Sequence, residues 1–197
     1  HSLVLRTSTG TYVHSGDFKI DHQPILEDPF DLGRYTEIGD ENVRALFSDS
    51  TNAQRPGSCP SEREVQKELH DVVRDCNGRV FGAMFSSNVF RAYSFLAAAR
   101  KTGRKVCVLG MSLRRSITIA RETGIIPDSY GDLLVDVRDI RSIPDNQLLF
   151  ICTGTQAEPR AALTRLSKDD YGKVKLKPSD TVIFSARIIP GNENWVY

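Results

Sequence analysis

The sequence predicts an α/β fold with a mainly parallel sheet flanked by helices, and three observations carry that prediction. Short apolar runs of strand length occur at Arg79–Phe85, Lys105–Leu109, Leu148–Cys152 and Thr181–Ser185. Segments of helical periodicity follow the first three, over Asn88–Lys101, Ser112–Glu122 and from about Pro159 to Leu166. The runs end in small hydroxyl, amide or glycine residues, the punctuation expected where strands give way to helices. Strands joined through helices run parallel, because a parallel arrangement needs a crossover that a tight turn cannot supply.

Taken in order, Leu3–Thr7 and Thr11–Phe18 read as two strands joined by a tight turn through Ser8, Thr9 and Gly10. A chain that opens directly in a strand is expected to be a piece of a longer one. Residues 21–44 are rich in Pro, Asp and Gly and predict a loop, with one helical turn near Asp31–Ile38. Arg44–Phe47 is a short strand ending in Ser48-Asp49-Ser50-Thr51-Asn52. Ser61-Glu62-Arg63-Glu64 has the form of a capping box. Val65, Leu69, Val72 and Val73 then continue at helical spacing until Asn77-Gly78 stops the helix.

The chain has 197 residues, of which 40% are hydrophobic and 26% charged, so it can bury a sizeable core. Its formal net charge is +1, which excludes a globally basic surface and makes any polyanion site local. Cys59, Cys76, Cys107 and Cys152 form no CxxC pair and no ligand spacing, arguing against a zinc ribbon or a disulfide framework and for a reducing cytoplasm. No apolar run approaches the roughly 18 residues of a membrane span, and no signal-peptide pattern opens the chain. Neither GxGxxG nor GxxxxGK[ST] occurs, which argues against dinucleotide and P-loop nucleotide binding.

In a parallel sheet, strand carboxyl ends and the following helix starts share one edge, where ligands collect. Gly16-Asp17 places a carboxylate at such an end, suited to bridging metal ions, although an Asx turn would use the same residues. One carboxylate cannot hold a metal by itself. Asp49 could orient a catalytic imidazole, or cap a polar turn. Ser86-Ser87-Asn88 and Thr153-Gly154-Thr155-Gln156-Ala157-Glu158 read as helix starts able to hold phosphate, and equally as ordinary caps. Arg91 and Arg160 could add charge for a phosphodiester backbone, or be solvated surface arginines. His14, His22 and His70 lack ligand spacing, and His14 reads as structural.

Five segments in this order then carry a resemblance: Val13–Asp21, Ser48–Ala53 with Arg55-Pro56-Gly57, Phe85–Val89, Thr153–Pro159 and Ile189-Pro190-Gly191-Asn192-Glu193. Together they resemble the ribonuclease J family, metallo-β-lactamase-fold nucleases with an inserted β-CASP domain. The resemblance implies the end of a metallo-β-lactamase αββα half over residues 1–52, incomplete, and most of a β-CASP domain over 53–197. It also implies a hydrolase that cuts single-stranded RNA with two zinc ions, with manganese or magnesium as alternatives. The expected activity is 5′-to-3′ exonucleolytic, with endonuclease activity as an addition, on RNA bearing a 5′-monophosphate.

By the same resemblance, Asp17 bridges the metals and Asp49 partners a histidine that protonates the leaving oxygen. Ser86, Ser87, Asn88, Thr153 to Glu158 (Thr155 and Gln156 among them) and Ser185 lie in segments that line the family's RNA channel. A cytoplasmic homo-oligomer is implied. The HxHxDH motif and the later histidine motifs of the family are absent from these residues, and His1-Ser2 lies too close to Asp17 to serve as the family's histidine-serine ligand. The expectation is the middle of a longer enzyme, unable to assemble a two-zinc site alone. The competing reading is a non-catalytic module that contacts RNA or another subunit.

Overall fold

The computed structural model describes residues 1–196. They divide, inside one helix, into two compact units, His1–Val65 and the chain from Gln66 onward.

In the first unit, β1 (Leu3–Thr7) and β2 (Gly10–His14) form the expected antiparallel hairpin, with Leu3 opposite His14 and Thr7 opposite Gly10. The second strand stops at His14 rather than Phe18, because Gly16 turns left-handed at φ 62° and breaks the ladder. Helix α1 (Leu32–Gly39) is a complete helix where the sequence signalled one turn; the Asp31 carboxylate caps it by accepting the Arg34 N–H at 2.9 Å. Strand β3 (Val43–Phe47) runs parallel to β2, giving the order β1-β2-β3. Helix α2 (Glu62–Asp75) opens on both halves of the predicted capping box. The Glu64 N–H donates to Ser61 Oγ at 3.1 Å, and the Ser61 N–H donates to the Glu64 carboxylate at 2.8 Å.

The second unit contains the expected strands and helices, β4 (Val80–Ala83), α3 (Val89–Lys101), β5 (Lys105–Leu109), α4 (Met111–Glu122), β7 (Leu148–Cys152), α5 (Ala162–Ser167) and β8 (Thr181–Phe184), and adds a short strand β6 (Leu134–Val135) before β7 and a last helix α6 (Glu193–Val196). Five strands form one sheet in the order β6-β5-β7-β4-β8, and every pairing is parallel. The central strands are buried on both faces, which explains their continuous apolar runs. Val80, Phe95, Leu96, Val106, Leu113 and Ile151 pack on one face. Phe81, Leu109, Phe150, Leu163 and Leu166 pack on the other, where the Phe81 and Phe150 rings stack with centroids 4.4 Å apart. Each fully buried side chain of this kind contributes about 1.5–3 kcal/mol.

One buried cation ties the amino edge of the sheet. Arg104, 3% exposed, donates to the carbonyls of Gly78 at 2.8 Å, Leu148 at 3.2 Å and Cys76, so the end of α2 and the starts of β4 and β7 converge on one guanidinium. Burial lowers its pKa from the ordinary arginine value. No helix among the described residues is long and apolar enough to cross a membrane.

Candidate functional site

Parallel pairing of β2 with β3 brings their carboxyl ends to one edge of the first unit, with His14 opposite Phe47. The next residue, Ser15, is buried and joins the two turns. Its N–H continues the ladder to the Phe47 carbonyl at 2.9 Å, and its hydroxyl accepts the Asp49 N–H at 2.9 Å while donating to the Gly16 carbonyl at 2.7 Å. The Ser2 hydroxyl donates to the Ser15 carbonyl at 2.6 Å. Asp17 and Asp49 therefore leave the sheet from neighbouring strand ends clasped by one serine. A Cβ on Gly16 would fall 2.7 Å from the His1 carbonyl oxygen, so this turn requires glycine. His14 Nδ1 accepts the Gly16 N–H at 3.0 Å, a structural use of that imidazole.

Asp17 is exposed. Asp49 Oδ1 accepts from the Thr51 hydroxyl at 2.7 Å and the Thr51 N–H at 2.9 Å, and these bonds hold the carboxyl below its ordinary range. It is thus an anionic acceptor of fixed orientation, the state required to orient an imidazolium. Among the described residues no group of three or more His, Cys, Asp or Glu side chains is arranged to hold a metal ion. Asp17 could supply one ligand of a metal centre, which takes about three to four protein ligands. Beside the two turns a cleft of about 720 Å³ is lined by Lys19, Asp21, His22, Thr51, Asn52 and Cys59, among others.

In the second unit, β7, β4 and β8 are adjacent, so the segments beginning at Thr153, Met84 and Ser185 emerge side by side at the carboxyl edge. The Met84 N–H donates to the Cys152 carbonyl at 3.0 Å, and the Ser185 N–H donates to the Ala83 carbonyl at 2.8 Å. Ser87 and Glu158 are exposed, and Ser86 and Ser185 half-buried. Asn88 is the N-cap of α3, its side chain accepting the Arg91 N–H at 2.9 Å. The Arg91 guanidinium reaches across to β8, donating to the Ser185 hydroxyl at 2.7 Å and carbonyl at 3.2 Å.

The segment from Thr153 to Glu158 does not open a helix directly, as its composition suggested. Ala157 is left-handed at φ 57°, and α5 begins only at Ala162, whose N–H donates to Thr153 Oγ1 at 3.3 Å. Thr155 and Gln156 are buried, 1% and 8% exposed, and Gln156 bonds to the loop after β8. Sequence reasoning missed Ser15 as the clasp between the two carboxylate turns. The only signal for it was a small hydroxyl residue between a strand and Gly16-Asp17.

Comparison with known proteins places this geometry in a family. The model described as "Ribonuclease J, beta-CASP domain" matches residues 77–197. The chain belongs to the ribonuclease J family. It is 44% identical over 192 residues to the ribonuclease J of Sinorhizobium meliloti, covering 98% of this chain and 34% of that protein. To the ribonuclease J of Thermus thermophilus it is 42% identical over 194 residues (98% and 34%), and to that of Helicobacter pylori 39% over 192 residues (98% and 28%). The chain thus spans about a third of the length of these ribonuclease J relatives. The family expected from the five segments is the one found, and the parallel five-stranded sheet lies in the part that the β-CASP model matches.

Proposed function

We propose that this chain is part of a ribonuclease that hydrolyses single-stranded RNA, working 5′ to 3′ from a 5′-monophosphate and also cutting internally. The observation that carries the reading is the relation to ribonucleases J over nearly the whole chain. The polar strand ends of the second unit fit it chemically.

In this reading Ser86, Ser87 and Ser185 offer hydroxyl donors to phosphate oxygens, with Asn88 and Arg91 fixing the surface they stand on. Thr153, Thr155 and Gln156 shape the adjoining turn, and Glu158 stands at its exposed end. Asp49, ionised and held by Thr51, orients a histidine supplied from outside these residues. Asp17 would supply one carboxylate to a zinc site completed by ligands from elsewhere in the protein, with manganese or magnesium as alternative occupants. Bound metals would neutralise charge on the phosphate. Residues 1–52 belong to the metallo-β-lactamase half and 53–197 to the β-CASP domain of a cytoplasmic homo-oligomer.

The test uses the full-length protein on linear RNA with a 5′-monophosphate, linear RNA with a 5′-triphosphate, and circular RNA, after chelation and re-addition of each metal. Release of mononucleotides from the monophosphorylated RNA, cutting of the circle, and loss of both in Asp17→Ala are expected. Normal turnover by Asp17→Ala with unchanged metal content would overturn the role of Asp17. RNA binding without cleavage under every metal would leave a non-catalytic module.

A further inference from the structure

The loop that follows β8 is held at three points by one side chain from a different strand turn. Gln156 Nε2 donates to the Arg187 carbonyl at 2.8 Å. Its Oε1 accepts the Ile189 N–H at 2.8 Å and the Asn192 side-chain amide at 3.3 Å. A backbone carbonyl can only accept and a backbone N–H can only donate, so these partners fix which end of the amide is nitrogen. Gln156 is 8% exposed, and its own N–H donates to the Glu158 carboxylate at 3.2 Å. Its side chain is therefore fully engaged and turned away from solvent.

No other residue type reproduces this clamp at this length. An ionised Glu keeps the two acceptor contacts but sets a carboxylate oxygen against the Arg187 carbonyl and buries its charge, whereas Ala loses all three contacts. The clamp complements a second strut, the bond from Arg91 to Ser185. One strut starts in the turn after β7 and the other on the helix after β4, and both end on the segment leaving β8. The relative positions of three neighbouring strand ends are thereby set by buried or half-buried hydrogen bonds rather than by packing alone.

We propose that Gln156 is a positioning residue for RNA. By holding the loop of residues 186–192, it keeps Ser185 and the loop backbone aligned with Ser86 and Ser87, without touching the RNA itself. The inference rests on the proposed RNA-binding function and assigns Gln156 an indirect part in it.

The test compares full-length wild type, Gln156→Ala, Gln156→Glu and Asn192→Ala. Affinity is measured with a fluorescent single-stranded oligoribonucleotide in chelator, kcat and KM with cleavable RNA, and loop order by hydrogen exchange. Gln156→Ala is expected to weaken affinity and raise KM about tenfold while kcat stays within about threefold. Exchange over residues 186–192 should accelerate while β4, β5 and β7 stay protected. Gln156→Glu should disturb the loop at least as much as Ala, because its second carboxylate oxygen would face the Arg187 carbonyl and its charge would be buried beside Glu158. Asn192→Ala, which removes one of the three contacts, should fall between Gln156→Ala and wild type. If Gln156→Ala deprotects the whole sheet, Asn192→Ala supplies the same readings.

Unchanged exchange over 186–192 overturns the clamp. Faster exchange with unchanged RNA affinity, or a fall in kcat with KM constant, overturns the positioning role. A wild-type protein that neither binds nor cuts RNA overturns the functional reading instead, which separates the two failures.

Discussion

Removing the carboxylate of Asp180 should destabilise the second unit more than any surface change, and the structure sets the size of the effect. The side chains of Arg79 and Asp180 are 7% and 2% exposed and pair through two parallel bonds, Nε to Oδ1 at 2.8 Å and Nη2 to Oδ2 at 2.6 Å. Asp180 also accepts the Lys177 N–H at 2.7 Å. The guanidinium lies 5.4 and 5.7 Å from the ring centroids of Phe81 and Phe150. In Asp180→Ala, Arg79 keeps its 2.6 Å bond to the Lys175 carbonyl and its two ring contacts but stays buried without its carboxylate partner.

Breaking a buried pair from one side costs about 3–5 kcal/mol. For a unit of this size, each kcal/mol corresponds to about 3–4 °C, so the melting temperature should fall by about 10–20 °C. Thermal and urea unfolding would measure it, alongside Arg79→Met and the double variant Arg79→Met/Asp180→Leu. The double variant should lie within about 2 kcal/mol of wild type, because two apolar side chains leave no charge unpaired. The Thr181 N–H donates to the Arg79 carbonyl at 2.9 Å at the start of the β4–β8 pairing, so Asp180→Ala should also speed exchange along β8. A loss under about 1 kcal/mol would refute the argument that desolvation dominates this pair.

Three further outcomes follow from the same structure. Gly82→Ala would put a Cβ within 2.4 Å of two Phe95 ring atoms, so chemical denaturation should show a loss of about 1–3 kcal/mol that Phe95→Leu partly restores. Cys59 is exposed, whereas burial pushes the Cys107 and Cys152 thiols up to about 11 and about 12; a thiol reagent at pH 8 should label Cys59 in the native protein and the other two only after unfolding. A hydrogen bond to Tyr130, together with burial, pushes the Tyr93 phenol from 10.0 up to about 12. Because the folded state holds this proton more tightly, the stability it supplies is complete below pH 10 and is lost as pH rises through about 12. Tyr93→Phe should remove that part of the alkaline decline, and identical wild-type and variant profiles would exclude it.

The fold was legible where burial makes a residue's surroundings uniform. Leu148–Cys152 and Lys105–Leu109 lie between two cores, so their apolar runs matched the strands residue for residue. The two-residue strand Leu134–Val135 escaped notice, because so short a strand at the sheet edge has no periodicity to read. Helix α1 was underestimated because Pro, Asp and Gly around it masked a short amphipathic face whose one buried residue is Ile38. Helix α5 starts later than its apolar spacing suggests, since the left-handed Ala157 spends the preceding residues on a turn.

The candidate site was legible as a location more than as a set of roles. Its polar residues were found because they follow strands, yet the sequence cannot distinguish a side chain that faces solvent from one bonded to its own fold. Ser87 and Gln156 look alike in that respect, and only tertiary contacts separate them: Ser87 is exposed, and Gln156 is locked to residues 31 to 36 positions away. Ser15 makes the same point at the other sheet. Its single hydroxyl serves Asp49 and Gly16, residues 34 and one positions away, so the spacing of two acidic turns depends on an atom that carries no signature of its own. Substituting such a residue would move chemistry-bearing groups without removing any of them, which makes it a sharper probe of geometry than deletion of either carboxylate.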